Sequence, residues 1–169
     1  MISTKLGDAL NAQLNFEQSS SFLYLSMAAH LQSKGLQGFA NWMKIQVQEE
    51  NFHADKYYNY IIERGAKVEL GEIEKPKTTW NSLQEIFEDT LEHEQQITKA
   101  TNELMDKAME ERDHAAVTFL QWFINEQVEE EANAEDALNK VRLIGENGNA
   151  IYILDQEFAK RVFVAPTNA

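Results

Sequence analysis

The chain has 169 residues, no cysteine and a formal net charge of −13. Without cysteine there is no disulfide framework, thiolate metal site or cysteine nucleophile. The acid excess argues against a nucleic-acid partner, whose phosphates it would repel, and suits cations. With 43% hydrophobic residues and two prolines, one of them Pro166 in the tail, a single domain over residues 1–169 with a substantial core is expected.

Helical periodicity dominates, in a composition rich in Ala, Glu, Leu, Gln and Lys, all good helix formers. The first helix is predicted over 4–33, before "KGLQG". The second spans 38–64, with Gly65 as its stop. A polar stretch of sixteen residues follows, "AKVELGEIEKPKTTWN". The third helix runs over 82–110, opened by a Ser82–Glu85 capping box. After a break near Asp113 the fourth covers 114–144. "GENGN" ends it, and a short fifth helix spans 150–161. The start, "MISTKLGDALNAQL", lacks the basic, apolar, small-residue order of a signal peptide. No apolar run approaches membrane-spanning length. A soluble cytoplasmic protein with no membrane partner is therefore expected.

Helices of nearly thirty residues are about 40–45 Å long, and their two short connections make antiparallel hairpins. The sixteen-residue connection can stretch to about 50 Å, enough to travel the length of a bundle. The predicted fold is all-α: a four-helix bundle with one long crossover and a short fifth C-terminal helix.

Alternating steps of four and three trace one seam per helix. They are Leu6, Leu10, Gln13, Glu17, Ser20, Tyr24, Met27, Leu31; Phe39, Met43, Gln46, Glu50, His53, Tyr57, Tyr60; Leu83, Phe87, Thr90, Glu94, Ile97, Thr101, Leu104, Ala108; and Ala116, Leu120, Phe123, Gln127, Glu130, Ala134, Ala137, Val141, Ile144. Each seam is apolar at its ends and carries a carboxylate near its middle. In a bundle of equal helices the middles share one height, so Glu17, Glu50, Glu94 and Glu130 converge, joined by His53, Gln127 and Tyr24. Buried carboxylates with no Lys or Arg on any seam require shared protons or a cation. Two divalent metals would offset four carboxylates, with His53 as a neutral nitrogen ligand. Oxygen-rich ligation with few imidazoles favours iron or manganese.

The plainer readings differ from residue to residue. A lone Glu-x-x-His on a helix is usually a solvated face, and Glu111 with His114 is read as one. Tyr24 alone would be an ordinary core phenol. Glu49, Glu126 and Glu129 flank the seams beside Glu130; they read equally as a hydrated acidic face or as a transit or third-metal site.

The segments "LNAQLNFEQSSSFLYLSMA", "QVQEENFHADKYYNYI", "TLEHEQQIT" and "FLQWFINEQVEEE" resemble the bacterial non-haem ferritins, and the resemblance runs over nearly the whole chain. It implies a ferroxidase centre for two irons per subunit. Glu17, Glu50 and His53 would hold the first iron, Glu50 would bridge, and Glu94 and Glu130 would hold the second. Gln127 stands where the family has an amide or an acidic ligand, with Tyr24 and Trp122 close by. Glu49, Glu126, Glu129 and Glu130 match the third-site residues of some members. The family forms shells of twenty-four subunits, in which the fifth helix would line the fourfold channels. No haem is expected, because Asn51 stands where bacterioferritins place a haem-binding Met. The implied function is iron storage, with Fe(II) oxidised by O2 or peroxide and ferric mineral deposited in the shell. The alternatives are a smaller, non-storage di-iron oxidase or peroxidase, and a structural bundle that binds no metal.

Overall fold

Helix ends in this chain are fixed by side-chain caps and by left-handed residues. A computed structural model describes residues 2–165; Pro166 lies outside them. Among the described residues there are five helices and no strand: α1 Thr4–Ser33, α2 Gln37–Glu63, α3 Leu83–Glu110, α4 His114–Ile144 and α5 Gly148–Phe158. Ser3 opens α1 by accepting the Leu6 N–H at 3.0 Å. Gly35 (φ +80°) and Gly65 (φ +74°) close α1 and α2. In both ends the amide beyond the glycine reaches back to the carbonyl five residues earlier: Leu36 to Leu31 at 3.1 Å and Ala66 to Ile61 at 3.0 Å. The end of α3 repeats this geometry with Arg112 at φ 55° instead of glycine.

Some boundaries shift from the sequence reading, and capping explains the clearest cases. Ser82 lies outside α3, with an extended backbone and its Oγ accepting the Glu85 N–H at 3.1 Å. The capping box is only half formed, since Glu85 takes the N–H of Asn81 at 2.7 Å rather than that of Ser82. The fifth helix runs Gly148–Phe158 rather than 150–161. Asn147 Oδ1 accepts from Asn149 and Ala150, which starts the helix early, and beyond Phe158 the chain leaves it in a turn.

α1 packs along α2 and α3 along α4, while α1 also meets α3 and α5 docks on α2 and α4. The crossover is bound to the side of α1. Asn11 and Asn15 exchange hydrogen bonds with the backbone of Lys67, Glu69 and Gly71, and Ser26 donates to the Lys77 carbonyl at 2.6 Å. α5 is held harder: Asp155 Oδ1 accepts the Gly38 and Phe39 N–H groups at 2.7 and 3.0 Å, and so caps the start of α2. Gly38 is required there, since a Cβ would stand 1.6 Å from the Asp155 carbonyl oxygen.

The interior is two apolar clusters with a polar layer between. Met27, Leu31, Phe39, Met43, Phe87, Leu138, Val141 and Phe158 pack at the α5 end. Leu6, Leu10, Tyr57, Ile61, Leu104, Leu120 and Phe123 pack at the other. Every seam residue is buried except Leu83 and Ile144, which are partly buried at helix ends. Among the described residues, no helix is long and apolar enough to cross a membrane.

Candidate metal centre

The polar layer is where the mid-seam carboxylates meet. Glu17 on α1, Glu50 and His53 on α2, Glu94 on α3 and Glu130 on α4 are all at most 4% exposed. His53 Nδ1 lies 3.6 Å from Glu50 Oε2 and 3.8 Å from Glu17 Oε2. The two carboxylate atoms nearest His53 are also buried and without a hydrogen-bond partner. Buried polar atoms are normally paired. Three convergent lone-pair donors, two of them orphaned, suit a cation with oxygen and imidazole ligands. One ligand atom from each of Glu17, Glu50 and His53 fits within 4.8 Å, and the same holds for His53, Glu126 and Glu130.

Surrounding side chains orient these carboxylates. Gln13 donates to Glu17 Oε1 at 2.8 Å, and Gln46 to Glu130 Oε2 at 3.0 Å. Tyr24 donates its hydroxyl to Glu94 Oε1. Gln127 Nε2 makes longer contacts to Glu94 Oε2 (3.4 Å), the Glu94 carbonyl (3.3 Å) and Thr98 Oγ1 (3.3 Å). In this arrangement Gln127 touches the centre through Glu94 and presents a nitrogen rather than a ligand oxygen. It also lines a surface groove between α3 and α4. Trp122 stands edge-on to His53 with centroids 5.6 Å apart.

Crowding sets the protonation. Burial, then like charge from Glu94 and Glu17, pushes Glu50 well above the ordinary carboxylate range. Burial and the charge of Glu130 push Glu94 up to about 8. Glu17 goes the other way: burial raises it, but hydrogen bonding and charge from His53 bring it below its ordinary value. Burial lowers His53, and its contacts with Glu17 and Glu50 outweigh that and raise it well above the usual imidazole value. Burial and crowding thus favour the protonated forms of Glu50, Glu94 and His53, while His53 favours the charged form of Glu17.

The flanking acidic residues separate. Glu126 is half-buried and joins His53 and Glu130, whereas Glu49, half-buried, and Glu129, exposed, both stand outside the two ligand groups. Glu49 is pushed up to about 7 by burial and by Glu130, against the opposing pull of Arg161. Glu111 and His114 fall at the α3–α4 turn, with His114 exposed. Sequence reasoning put Gln13 and Gln46 on the seams but gave them no role. His93 and Arg161 it passed over. His93 Nε2 meets Ser20 Oγ at 2.8 Å, its ring stands edge-on to Tyr24, and burial pushes it down to about 4. Its position directly before Glu94 was the one available signal.

Comparisons with known proteins agree on one family. A family model described as a ferritin-like domain matches residues 7–144. A bacterial non-heme ferritin of Staphylococcus aureus is 40% identical over 163 residues, covering 96% of this chain and 98% of the relative. A bacterial non-heme ferritin of Staphylococcus haemolyticus is 39% identical over the same shares. Among solved structures, the open-pore ferritin of the hyperthermophilic archaeon Archaeoglobus fulgidus superposes with a TM-score of 0.95. It is 48% identical, over 96% of this chain and 100% of that one.

Proposed function

The chain belongs to the ferritin-like family, and on that premise we propose that it stores iron, oxidising Fe(II) within the bundle and depositing ferric mineral in a shell of its own copies. The observation that carries this reading is the pair of orphaned buried oxygens, Glu17 Oε2 and Glu50 Oε2, facing His53 Nδ1.

In this reading Glu17, Glu50 and His53 take the first Fe(II), Glu50 bridges, and Glu94 and Glu130 take the second. Two Fe(II) together supply two electrons, reducing O2 to peroxide or peroxide to water, so no one-electron oxygen radical is released. Tyr24 and Gln127 orient Glu94, Gln13 orients Glu17, and Gln46 orients Glu130. Metal entry displaces the protons that burial and crowding favour on His53, Glu50 and Glu94. Glu126 and Glu130, with Glu49 at their side, form an outer position through which oxidised iron leaves; Glu129 extends its acidic approach. The chain acts as one ferritin-like domain over 1–169, in the cytoplasm.

Assembly is supported by large apolar side chains left exposed on one subunit: Phe22 and Leu25 on α1, Tyr58 and Ile62 on α2, Tyr152 and Ile153 on α5. The family reading makes the assembly a 24-subunit shell. The test is anaerobic Fe(II) titration of the assembled protein, followed by air, with native mass measured alongside. Two tight irons per subunit, oxidised on aeration in a very large particle, are expected. Tight binding in a dimer would point instead to a non-storage di-iron oxidase, and absent binding would end the metal reading.

A further inference from the structure

Beyond α5 the chain turns back along α2, and this return is built rather than loose. Phe158 is buried among Phe39, Trp42 and Phe87. Asn41 Nδ2 holds the carbonyls of Phe158 and Arg161 at 3.1 and 3.0 Å. The Arg161 guanidinium lies 4.4 Å over the Trp42 ring and donates to the Trp42 carbonyl at 3.2 Å. Its other arm meets Glu49 Oε2 at 2.8 Å, in a pair whose side chains are only 20% and 21% exposed. Phe163 then packs on Phe52, the ring that also touches His53 and Trp122. The return therefore passes beside the outer carboxylates and ends against the aromatics around His53.

We propose that Arg161 is a tethered counter-cation of the outer iron position: it holds Glu49 in the metal-free protein and must release it when a cation enters between Glu49, Glu126 and Glu130. This rests on the outer-position reading above. Trp42 keeps the guanidinium nearby, but the bond to Glu49 is the tie that an incoming cation replaces, and its loss loosens the return from Ala159 onward. A partly desolvated ion pair competes with an incoming cation far better than a solvated surface pair does. Arg161 thus keeps the outer position weak, so that iron passes through it instead of lodging there.

The test is anaerobic Fe(II) calorimetry on the assembled protein, comparing wild type with Arg161→Gln and Arg161→Lys. The two tight irons should be unchanged. The third class of iron should bind about tenfold tighter in Arg161→Gln, the scale for losing one nearby unit charge at a partly exposed site. Arg161→Lys, which keeps the charge, should stay near wild type. Hydrogen exchange in wild type should quicken over residues 159–165 once loading passes two irons per subunit, a change that a purely structural arginine would not produce. A third class with wild-type affinity in Arg161→Gln, or exchange indifferent to loading, overturns the proposal. If neither protein shows a third class, the outer-position reading fails and takes this proposal with it, while two retained tight irons leave the inner centre standing.

Discussion

Tyr24 on α1 gives its hydroxyl proton to Glu94 on α3, joining the two hairpins at the height of the carboxylate layer. Both residues are at most 1% exposed, so neither can turn to water for a replacement. Tyr24→Phe removes a donor and leaves a buried acceptor, which costs about 1–3 kcal/mol. Urea unfolding of the metal-free variant should show that loss. A variant as stable as wild type would mean that Glu94 finds another donor.

Glu50 is the one proposed ligand shared by both metals. Glu50→Ala should lose both tight irons in an anaerobic titration, whereas His53→Ala should lose mainly the first. The bundle should still fold, because relief of carboxylate repulsion offsets part of the lost contacts. Wild-type Fe(II) binding by Glu50→Ala would show that the centre is misplaced.

Glu94 is held at about 8 against an ordinary 4.5. Between those values the folded chain keeps a proton that the unfolded chain has lost. Its contribution to metal-free stability is therefore full below 4.5 and is lost as pH rises through 8, with a slope of up to about 1.4 kcal/mol per pH unit. Glu50 and His53, both raised, act in the same sense, and Glu17, lowered, acts in the opposite one. Metal should abolish this loss and release the protons. Calorimetric Fe(II) heats at pH 6–7 should then differ between buffers of unlike ionisation enthalpy, and identical heats would count against the protonated layer.

Much of this was written in the periodicity. The 4–3 steps located the buried face of each helix because a bundle buries one stripe, and equal helix lengths brought Glu17, Glu50, Glu94 and Glu130 to one layer. Pairings inside the layer were beyond the pattern. Gln46 reaches Glu130 and Gln13 reaches Glu17 according to side-chain rotation and the offset between axes, which a repeat does not encode. Arg161 and Asp155 act on residues more than a hundred positions away in sequence, where local signals are silent. The left-handed residue ending α3 was hidden for another reason: an arginine occupies a place that usually announces itself as glycine.

The acidic trio should divide. Glu129 is exposed and outside both ligand groups, so Glu129→Ala should be close to silent, within roughly 0.5 kcal/mol in stability. Glu126→Ala should lower the iron bound per subunit and slow recovery between repeated Fe(II) additions, read with an oxygen electrode. Equal effects from the two substitutions would mean that the acidic face works only as a diffuse field.

Arg112 holds φ 55° at the end of α3 and is exposed. Arg112→Gly relieves that backbone conformation and should stabilise the protein by about 0.5–1 kcal/mol. Chemical unfolding checks it; destabilisation would show that the arginine side chain contributes more than its backbone conformation costs.

The polar bonds from Asn11, Asn15 and Ser26 give the crossover an unexpected mechanical character. It has neither helix nor strand, yet its first rungs at Lys67–Gly71 and its late one at Lys77 fasten it to α1 like a rail. A protease must peel a stretch of backbone free before cutting it, so the fastened portions should resist nicking despite lying at the surface. A peptide grafted among the rungs would pull on α1, the helix that carries Glu17. The span from Glu72 to Pro76, between the rungs, is where foreign sequence can be displayed with least disturbance to the carboxylate layer.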